Sequence, residues 1–325
     1  MQVTLVLLAE GNAEIVRRNL QSIVEGEKMN LAVMYHYVKE PAEWTGSVPV
    51  SPKEFENQID RLAKKFEFVA PDELMKKTLK PKCVLTFDDA TKDQYENAFA
   101  IMKKKGVPGY FTVMSGPLVE KKVPIFHLVH TALSLFNDSE LWEKLNDRFD
   151  RSKFENLIGA HQIYGYEKSE LRRYIKYLLN FTLTPQESRK FLEDIIAAEF
   201  GSSDKFIEQM YININEFEIM RKAGMTLGVH CVSHKPFSHD AMNYYKNEIE
   251  PCAQFLADRL QIKAEWYTPP FGGGVEAQRM KKDLKSILIN EGYKGAFVTT
   301  EGFISEKQDF WLKRVDCNKL YSISL

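Results

Sequence analysis

Short β-prone runs alternate with amphipathic helices along most of the chain, and this alternation constrains the fold more than any other feature. The helical stretches between them often end in glycine, as at Gly106, Gly224 and Gly292. Strands separated by helices pair in parallel, because each helix carries the chain back to the starting edge of the sheet. With about seven strands we expect an α/β fold, a distorted (β/α) barrel that closes on itself. The predicted barrel strands are 31–37, 83–87, 109–113, 225–229, 265–268, 295–299 and 311–315.

Two stretches interrupt this alternation. Residues 119–211 are rich in helix formers with amphipathic spacing and contain no predicted strand. We interpret them as an inserted helical subdomain and a candidate lid over the strand ends. Residues 1–28 combine a short apolar run with an amphipathic helix that the barrel pattern does not require, and we interpret them as an N-terminal extension. The predicted barrel therefore consists of residues 29–118 and 212–325.

Charge and cysteine content exclude several classes of protein. Lysine plus arginine (44) and aspartate plus glutamate (45) nearly cancel, so nucleic acid is not the expected partner. No apolar run approaches the roughly 18 residues of a membrane span. The four cysteines fall in no CxxC pair, and the apolar start lacks a basic region typical of an export signal. We therefore expect a cytoplasmic protein, with peripheral membrane attachment left open.

Residues suited to metal chemistry follow three of the predicted strands. Asp88 and Asp89 follow the strand 83–87, His230 and His234 follow the strand 225–229, and a Pro-Pro-Phe-Gly turn follows the strand 265–268. Alone, an Asp-Asp pair is usually a cap or turn, and an H-x-x-x-H pair is often a core or surface feature. Together, one carboxylate and two histidines form a facial metal set that leaves positions open for substrate. The second carboxylate is then free to act as a base.

These motifs resemble those of the polysaccharide deacetylases with NodB-type homology, carbohydrate esterase family four. Thr-Phe-Asp-Asp at 86–89, Gly-Val-His-Cys-Val-Ser-His-Lys-Pro at 228–236 and Tyr-Thr-Pro-Pro-Phe-Gly at 267–272 occur in the family's order. The resemblance covers about residues 31–118 and 212–316. It implies a (β/α) barrel in which three side chains bind a divalent metal. Zinc is the favoured metal, and cobalt, nickel and iron are the alternatives. By the same resemblance the ligands are Asp89, His230 and His234, and Asp88 is the catalytic base.

The chain lacks two residues that the family usually supplies. Thr268 replaces the arginine that orients the base, and no histidine follows His239 to protonate the leaving amine. The opening Met-Tyr-His-Tyr at 34–37 is similar to the poly-N-acetylglucosamine deacetylase branch, in which the first-strand histidine is the proposed acid. His36 is therefore the candidate acid, and the alternative is a core histidine satisfied by a carbonyl.

A second arginine lies near the end of the last predicted strand and is a candidate for orienting the base. Arg314 belongs to the sequence Trp-Leu-Lys-Arg-Val-Asp at 311–316. From this position its side chain is predicted to pair with Asp88. A plain surface ion pair with Asp316 is the alternative.

The favoured function is a metal-dependent hydrolase that removes an N-acetyl group from an amino sugar in a polysaccharide or glycan precursor. Tyr37, Tyr267 and Phe271 are predicted to stack on the carbohydrate, and a backbone N–H near Phe271 to stabilise the oxyanion. The expected lack of export favours a lipid- or nucleotide-linked sugar. The alternatives are a metal-dependent hydrolase of a non-glycan amide, imide or O-acetyl ester, and a catalytically inactive glycan-binding homologue.

Overall fold

A computed structural model describes residues 29–76, 79–237, 239–272, 274–305 and 310–321. The helix predicted within residues 1–28 lies outside these ranges. The described chain divides into two compact units, one containing residues 29–38, 52–115 and 212–321 and the other residues 39–51 and 116–211. We call the first the barrel unit and the second the helical unit.

The barrel unit contains a closed ring of parallel strands. Its strands are β1 (Leu31–Tyr35), β2 (Glu67–Phe68), β3 (Lys82–Phe87), β4 (Tyr110–Met114), β5 (Thr226–Cys231), β6 (Trp266–Tyr267), β7 (Gly295–Glu301) and β8 (Trp311–Asp316). The order is β1-β8-β7-β6-β5-β4-β3-β2, and β1 also pairs with β3. That extra pairing, from Leu31 beside Cys83 to Tyr35 beside Phe87, closes seven strands into a ring. The predicted (β/α) barrel is confirmed.

Burial explains why these runs form the wall of a barrel. Every residue of β3 and every residue of β4 is buried, as expected for parallel strands covered on both faces. Aromatic rings fill part of the interior: Phe87 stacks on Phe111 with ring centroids 4.3 Å apart and on Tyr35 at 5.2 Å. This packing brings the ends of β1, β3 and β4 together.

The helices of the barrel unit follow the predicted sites closely. Helix α1 begins at Pro52 and buries Phe55, Ile59 and Leu62, the face that the spacing predicts. The stretch predicted as one helix over 240–260 contains two α-helices joined by a π-helical segment, Tyr245–Ile249. Another π-helical segment, Gln94–Phe99, follows β3. The α-helices of this unit, numbered along the whole chain, are α1 (Pro52–Ala63), α2 (Ala100–Lys105), α10 (Ile214–Lys222), α11 (Ala241–Tyr244), α12 (Glu250–Leu260) and α13 (Gly274–Asn290).

The helical unit contains no strand among its described residues. Capping boxes begin two of its helices, at Asn137 with Glu140 and at Thr184 with Glu187. The segment 39–51, which the sequence assigns to the barrel, groups with these helices, and Thr45 donates a hydrogen bond to the Leu133 carbonyl. A lid role for the insertion stays a prediction. Its α-helices are α3 (Gly116–Val119), α4 (Ile125–Leu135), α5 (Asp138–Arg148), α6 (Gly159–Ile163), α7 (Glu170–Tyr177), α8 (Pro185–Phe200) and α9 (Ser203–Met210).

Two further features bear on the sequence predictions. Within the described ranges, no helix combines the length and apolarity needed to cross a membrane. All four cysteines are buried and none forms a disulfide. A buried thiol is protonated at neutral pH, and burial raises the pKa of Cys252 to about 12.

Candidate metal centre and active site

The candidate site residues meet where strands of the barrel end. Asp88 and Asp89 follow β3 directly, and His36 follows β1 at its neighbouring edge. His230 is the penultimate residue of β5, and His234 lies in the turn after it. Because parallel strands of a closed barrel present their carboxyl ends on one face, residues from distant parts of the chain converge there.

The backbone at the two strand ends is locally unusual. Asp89 has a φ of 74° and His234 a φ of 57°, both in the left-handed region that non-glycine residues rarely adopt. Ala90 also has a positive φ, 55°, at the position where the resembling family usually has glycine. Backbone of this kind persists only where surrounding contacts determine it, and it concentrates at functional sites.

Asp89, His230 and His234 form a compact cluster. Oδ1 of Asp89 lies 3.1 Å from Nε2 of His230 and 3.6 Å from Nε2 of His234. One ligand atom from each residue falls within 4.8 Å of the others, and Asp89 and His230 are almost completely buried. Two imidazole nitrogens and one carboxylate oxygen are ligands that zinc and similar divalent ions accept in sites that keep open positions.

The tautomer of His230 supports this donor set. Its Nδ1 lies 2.7 Å from the carbonyl oxygen of Thr268, which only accepts, so Nδ1 carries the proton. In the neutral ring, Nε2 then has a lone pair that faces Oδ1 of Asp89, 3.1 Å away. Because both atoms are hydrogen-bond acceptors, a cation or a proton is needed between them. A histidine oriented through Nδ1 by a backbone carbonyl is the usual support for a metal ligand. The residues present therefore fit a divalent ion.

The proton affinity of His230 reflects the same contact. Burial lowers the pKa of His230, but the hydrogen bond and charge of Asp89 raise it by more, so the pKa lies above its ordinary value of 6.5. Protons and a metal ion therefore compete for the same nitrogen atom.

Asp88 is held by an arginine inside the barrel. Nη1 and Nη2 of Arg314 each donate a hydrogen bond of 2.8 Å, one to each carboxylate oxygen of Asp88. The guanidinium side chain has no exposed surface, and it also donates to the hydroxyl of Thr86 at 3.1 Å. The surface ion pair with Asp316, the alternative for Arg314, does not fit this burial.

The charge of Arg314 decides the protonation state of Asp88. Burial alone raises the pKa of Asp88, whereas the guanidinium charge and its hydrogen bonds lower it. The net result is a pKa below the ordinary value of 3.8, so Asp88 is ionised at neutral pH.

His36 lies beside Asp88 with its ring partly in solvent. Nε2 of His36 is 3.8 Å from Oδ2 of Asp88, and 43% of its side chain is exposed. The alternative of a core histidine satisfied by a carbonyl does not fit this exposure. The accessible imidazole adjoins the carboxylate, as a proton donor facing a substrate would.

Sequence reasoning missed the residue that joins these two positions. The side-chain amide of Gln94, which is fully buried, donates to the carbonyl of His36 at 2.7 Å and also to the carbonyl of Asp88. It thereby holds the end of β1 against the end of β3. The only signal in the sequence is its place five residues after Asp89 near the start of the next helix, which does not distinguish it from any polar helix residue.

The three residues predicted to contact carbohydrate do not share one environment. Phe271 is 48% exposed, and its ring meets that of His234 with centroids 4.9 Å apart. Tyr267 has no exposed surface and packs near Tyr293, and Tyr37 is also buried. A ring without accessible surface cannot cover a sugar, so burial argues against the stacking role predicted for Tyr267 and Tyr37.

Comparison with known proteins supplies independent findings. The family model for polysaccharide deacetylase matches residues 196–294, a range that includes His230, His234 and the turn 267–272. Comparison with curated protein sequences gives no match.

Several solved structures share the fold. The Streptococcus pyogenes deacetylase PplD, in complex with acetate, is 17% identical over 89% of this chain and 92% of its own, with a TM-score of 0.53. IcaB from Ammonifex degensii is 15% identical over 89% of this chain and 91% of its own, also with a TM-score of 0.53. A de-N-acetylase from Aggregatibacter actinomycetemcomitans is 13% identical over 90% of this chain and 97% of its own, with a TM-score of 0.51. At these identities the similarity shows the fold alone.

The fold and the site together define a barrel enzyme with a candidate divalent-metal centre at its strand ends. The family match goes further: residues 196–294 match the model for polysaccharide deacetylase, and this range contains two of the three motifs. The resemblance predicted from the motifs is thereby confirmed.

Proposed function

We propose that this protein is a metal-dependent hydrolase that removes the acetyl group from an N-acetylated amino sugar. One observation carries the proposal. The Asp88 carboxylate is fixed by Arg314, its chain neighbour Asp89 belongs to the histidine cluster, and His36 lies 3.8 Å away. Amide hydrolysis needs a base for the attacking water and an acid for the leaving amine, and this arrangement supplies a candidate for each.

Each residue in the proposed mechanism has a distinct role. Asp89, His230 and His234 would hold the divalent ion, with zinc favoured and cobalt, nickel or iron as alternatives. A bound ion supplies Lewis acidity, which polarises the amide carbonyl and lowers the pKa of the attacking water. Asp88 accepts the proton of that water, because its low pKa keeps it ionised at neutral pH.

The second half of the reaction needs a proton at the amine nitrogen. His36 donates it, since its imidazole is accessible and adjoins Asp88. Arg314 takes no part in proton transfer; it fixes the orientation of the Asp88 carboxylate through both oxygens. Phe271 offers an exposed ring beside His234 on which part of the substrate can pack.

The substrate class follows from the resemblance of the motifs rather than from the geometry of the site. We favour a poly-N-acetylglucosamine chain or a lipid- or nucleotide-linked precursor, because the first-strand histidine and the missing arginine at Thr268 are similar to that branch of the family. Activity on a non-glycan amide, an imide or an O-acetyl ester is the competing hypothesis, and glycan binding without turnover is the third.

The test uses N-acetylglucosamine oligomers with chelator-treated protein to which zinc or cobalt is restored. We expect free amine and acetate to appear in equal amounts, only with metal, and to vanish in Asp88→Asn. A metal-loaded crystal soaked with acetate should place the acetate on an ion held by Asp89, His230 and His234. Turnover of an aryl acetate or a simple amide, with none of any N-acetylhexosamine oligomer, would select the competing hypothesis.

A further inference from the structure

A helical segment next to β5 contacts the turn that carries His234. The segment comprises α11 and the π-helical residues Tyr245–Ile249. Two of its side chains, Tyr244 and Glu248, are buried although both are polar. Each makes a hydrogen bond to the turn, and neither belongs to the proposed catalytic set.

Glu248 binds the residue immediately before His234. One carboxylate oxygen accepts the backbone N–H of Ser233 at 2.8 Å, and the other accepts the Ser233 hydroxyl. Only 3% of Glu248 is exposed, and the ammonium group of Lys235, 3.6 Å away, is largely in solvent. A carboxylate buried to this extent is costly unless its oxygens are satisfied, and here Ser233 satisfies both.

The residue immediately after His234 is held from the same segment. The hydroxyl of Tyr244 donates to the carbonyl of Lys235 at 3.1 Å. Within the turn, the N–H of His234 points to the sulfur of Cys231 at 3.2 Å. The backbone is therefore tied on both sides of His234.

These ties explain how His234 keeps its left-handed backbone. Its φ of 57° is unfavourable for a residue with a Cβ, so the conformation lasts only if neighbouring contacts impose it. That conformation is also what directs Nε2 of His234 to within 3.6 Å of Asp89. A turn that relaxed to ordinary backbone angles would move the imidazole away from the other two ligands.

We propose that Glu248 is a positioning residue for the metal centre, acting through Ser233 to hold His234 in its ligating orientation. The inference rests on the proposed function only in that Asp89, His230 and His234 hold a divalent ion. The hydrogen bonds and the ion pair of Glu248 go to Ser233 and Lys235 rather than to the three ligands, so its expected effect is on the affinity for metal.

The experiment measures zinc affinity of the full chain by competition with a chromogenic chelator. Glu248→Gln keeps the shape of the side chain but replaces two charge-assisted hydrogen bonds to Ser233 with weaker neutral ones, and we expect zinc affinity to fall about 10- to 100-fold. Ser233→Ala loses only the hydrogen bond of the hydroxyl, so its zinc affinity should fall less. Ser233→Thr keeps a hydroxyl and should retain most of the zinc affinity.

Two controls separate positioning from charge and from general stability. Glu250→Gln removes the same charge from an exposed site two residues further along and should leave affinity within twofold of the parent. Ile249→Val removes one buried methyl group beside Glu248 and should lower thermal stability without changing zinc affinity. If Glu248→Gln fails to fold, the Ser233→Ala and Ser233→Thr pair makes the same test.

The outcomes distinguish this inference from the proposed function. Folded Glu248→Gln, or folded Ser233→Ala, with zinc affinity equal to the parent would overturn the positioning role even if the enzyme deacetylates sugars. A parent protein that binds zinc, loses affinity in Glu248→Gln and deacetylates no sugar would support the positioning role and overturn the proposed function. A parent that binds none of zinc, cobalt, nickel and iron would overturn both.

Discussion

Arg314 and Asp88, which are 226 positions apart in the chain, form an ion pair inside the barrel through two hydrogen bonds, each with a donor–acceptor distance of 2.8 Å. The guanidinium comes from β8 and the carboxylate from the end of β3. The planar fork of an arginine matches both oxygens of a carboxylate, which fixes its orientation as well as its charge. The resembling family usually has an arginine at the position of Thr268 to orient the base, and we propose that Arg314 takes that role here.

Removing the guanidinium should destabilise the fold. In Arg314→Gln the buried charge of Asp88 loses its partner, and we expect the free energy of unfolding to fall by about 3–5 kcal/mol. Urea unfolding measures it. The matched control is Arg279→Gln, whose partner Asp283 lies on the same exposed face of α13, and its change should stay below about 1 kcal/mol. Equal effects of the two substitutions would contradict a structural role for the buried pair.

The same substitution should change the pH dependence of catalysis. Arg314 holds the pKa of Asp88 below 3.8, so in the parent the base is ionised throughout the neutral range. Without the guanidinium, burial raises that pKa, and a base is active only when deprotonated. The acid limb of kcat/KM in Arg314→Gln should therefore move to higher pH. An unchanged acid limb in a variant that stays active would show that Asp88 is not the titrating base.

Loss of the imidazole next to Asp88 should impair turnover and spare metal binding. We expect His36→Ala to lower kcat by at least about 10²-fold, because the leaving amine no longer receives a proton from a positioned acid. Zinc affinity should stay unchanged, since His36 is not part of the three-residue cluster. His161→Ala, which removes another exposed histidine, is the control and should keep full activity. Full activity in His36→Ala would remove that residue from the mechanism.

Gln94 should matter for both stability and rate. Gln94→Leu removes the donor shared by the carbonyls of His36 and Asp88, and leaving buried acceptors without it costs about 1–3 kcal/mol. Because the two strand ends then separate more easily, kcat should fall while zinc affinity changes little. Gln254→Leu on the exposed face of α12 is the matched control for both measurements. If Gln94→Leu changed neither the stability nor kcat, other contacts would hold the ends of β1 and β3 together.

Gly228 is required by close packing in β5. A Cβ built on Gly228 would lie 2.4 Å from the ring and hydroxyl of Tyr110 and 2.7 Å from the carbonyl oxygen of Trp266. Gly228→Ala should therefore destabilise the barrel by about 1–3 kcal/mol or prevent folding, through overpacking. Denaturant unfolding measures the change. An unaltered midpoint would show that the interior accommodates the added methyl group despite these short distances.

Much of the fold was predictable because its signals are local. The strands from Leu31 to Asp316 appear near their predicted positions, since β-prone runs and helix stops act within a few residues. Candidate ligands were visible for a similar reason: Asp89, His230 and His234 follow strands, and parallel strands end on one face. Burial was less accessible to prediction. Tyr267 looked like a stacking ring by residue type, but the closed barrel leaves it without surface.

The sequence by itself determined the parallel barrel, the helical composition of residues 119–211 and the strand ends at which polar side chains collect. Only the tertiary structure decided which of those side chains support one another. Arg314 pairs with Asp88 rather than with Asp316, Gln94 joins the ends of β1 and β3, and Glu248 holds the turn of His234. These contacts join residues that are distant in the chain or lie on different elements. Their pairing follows from barrel closure and burial, which no local pattern encodes.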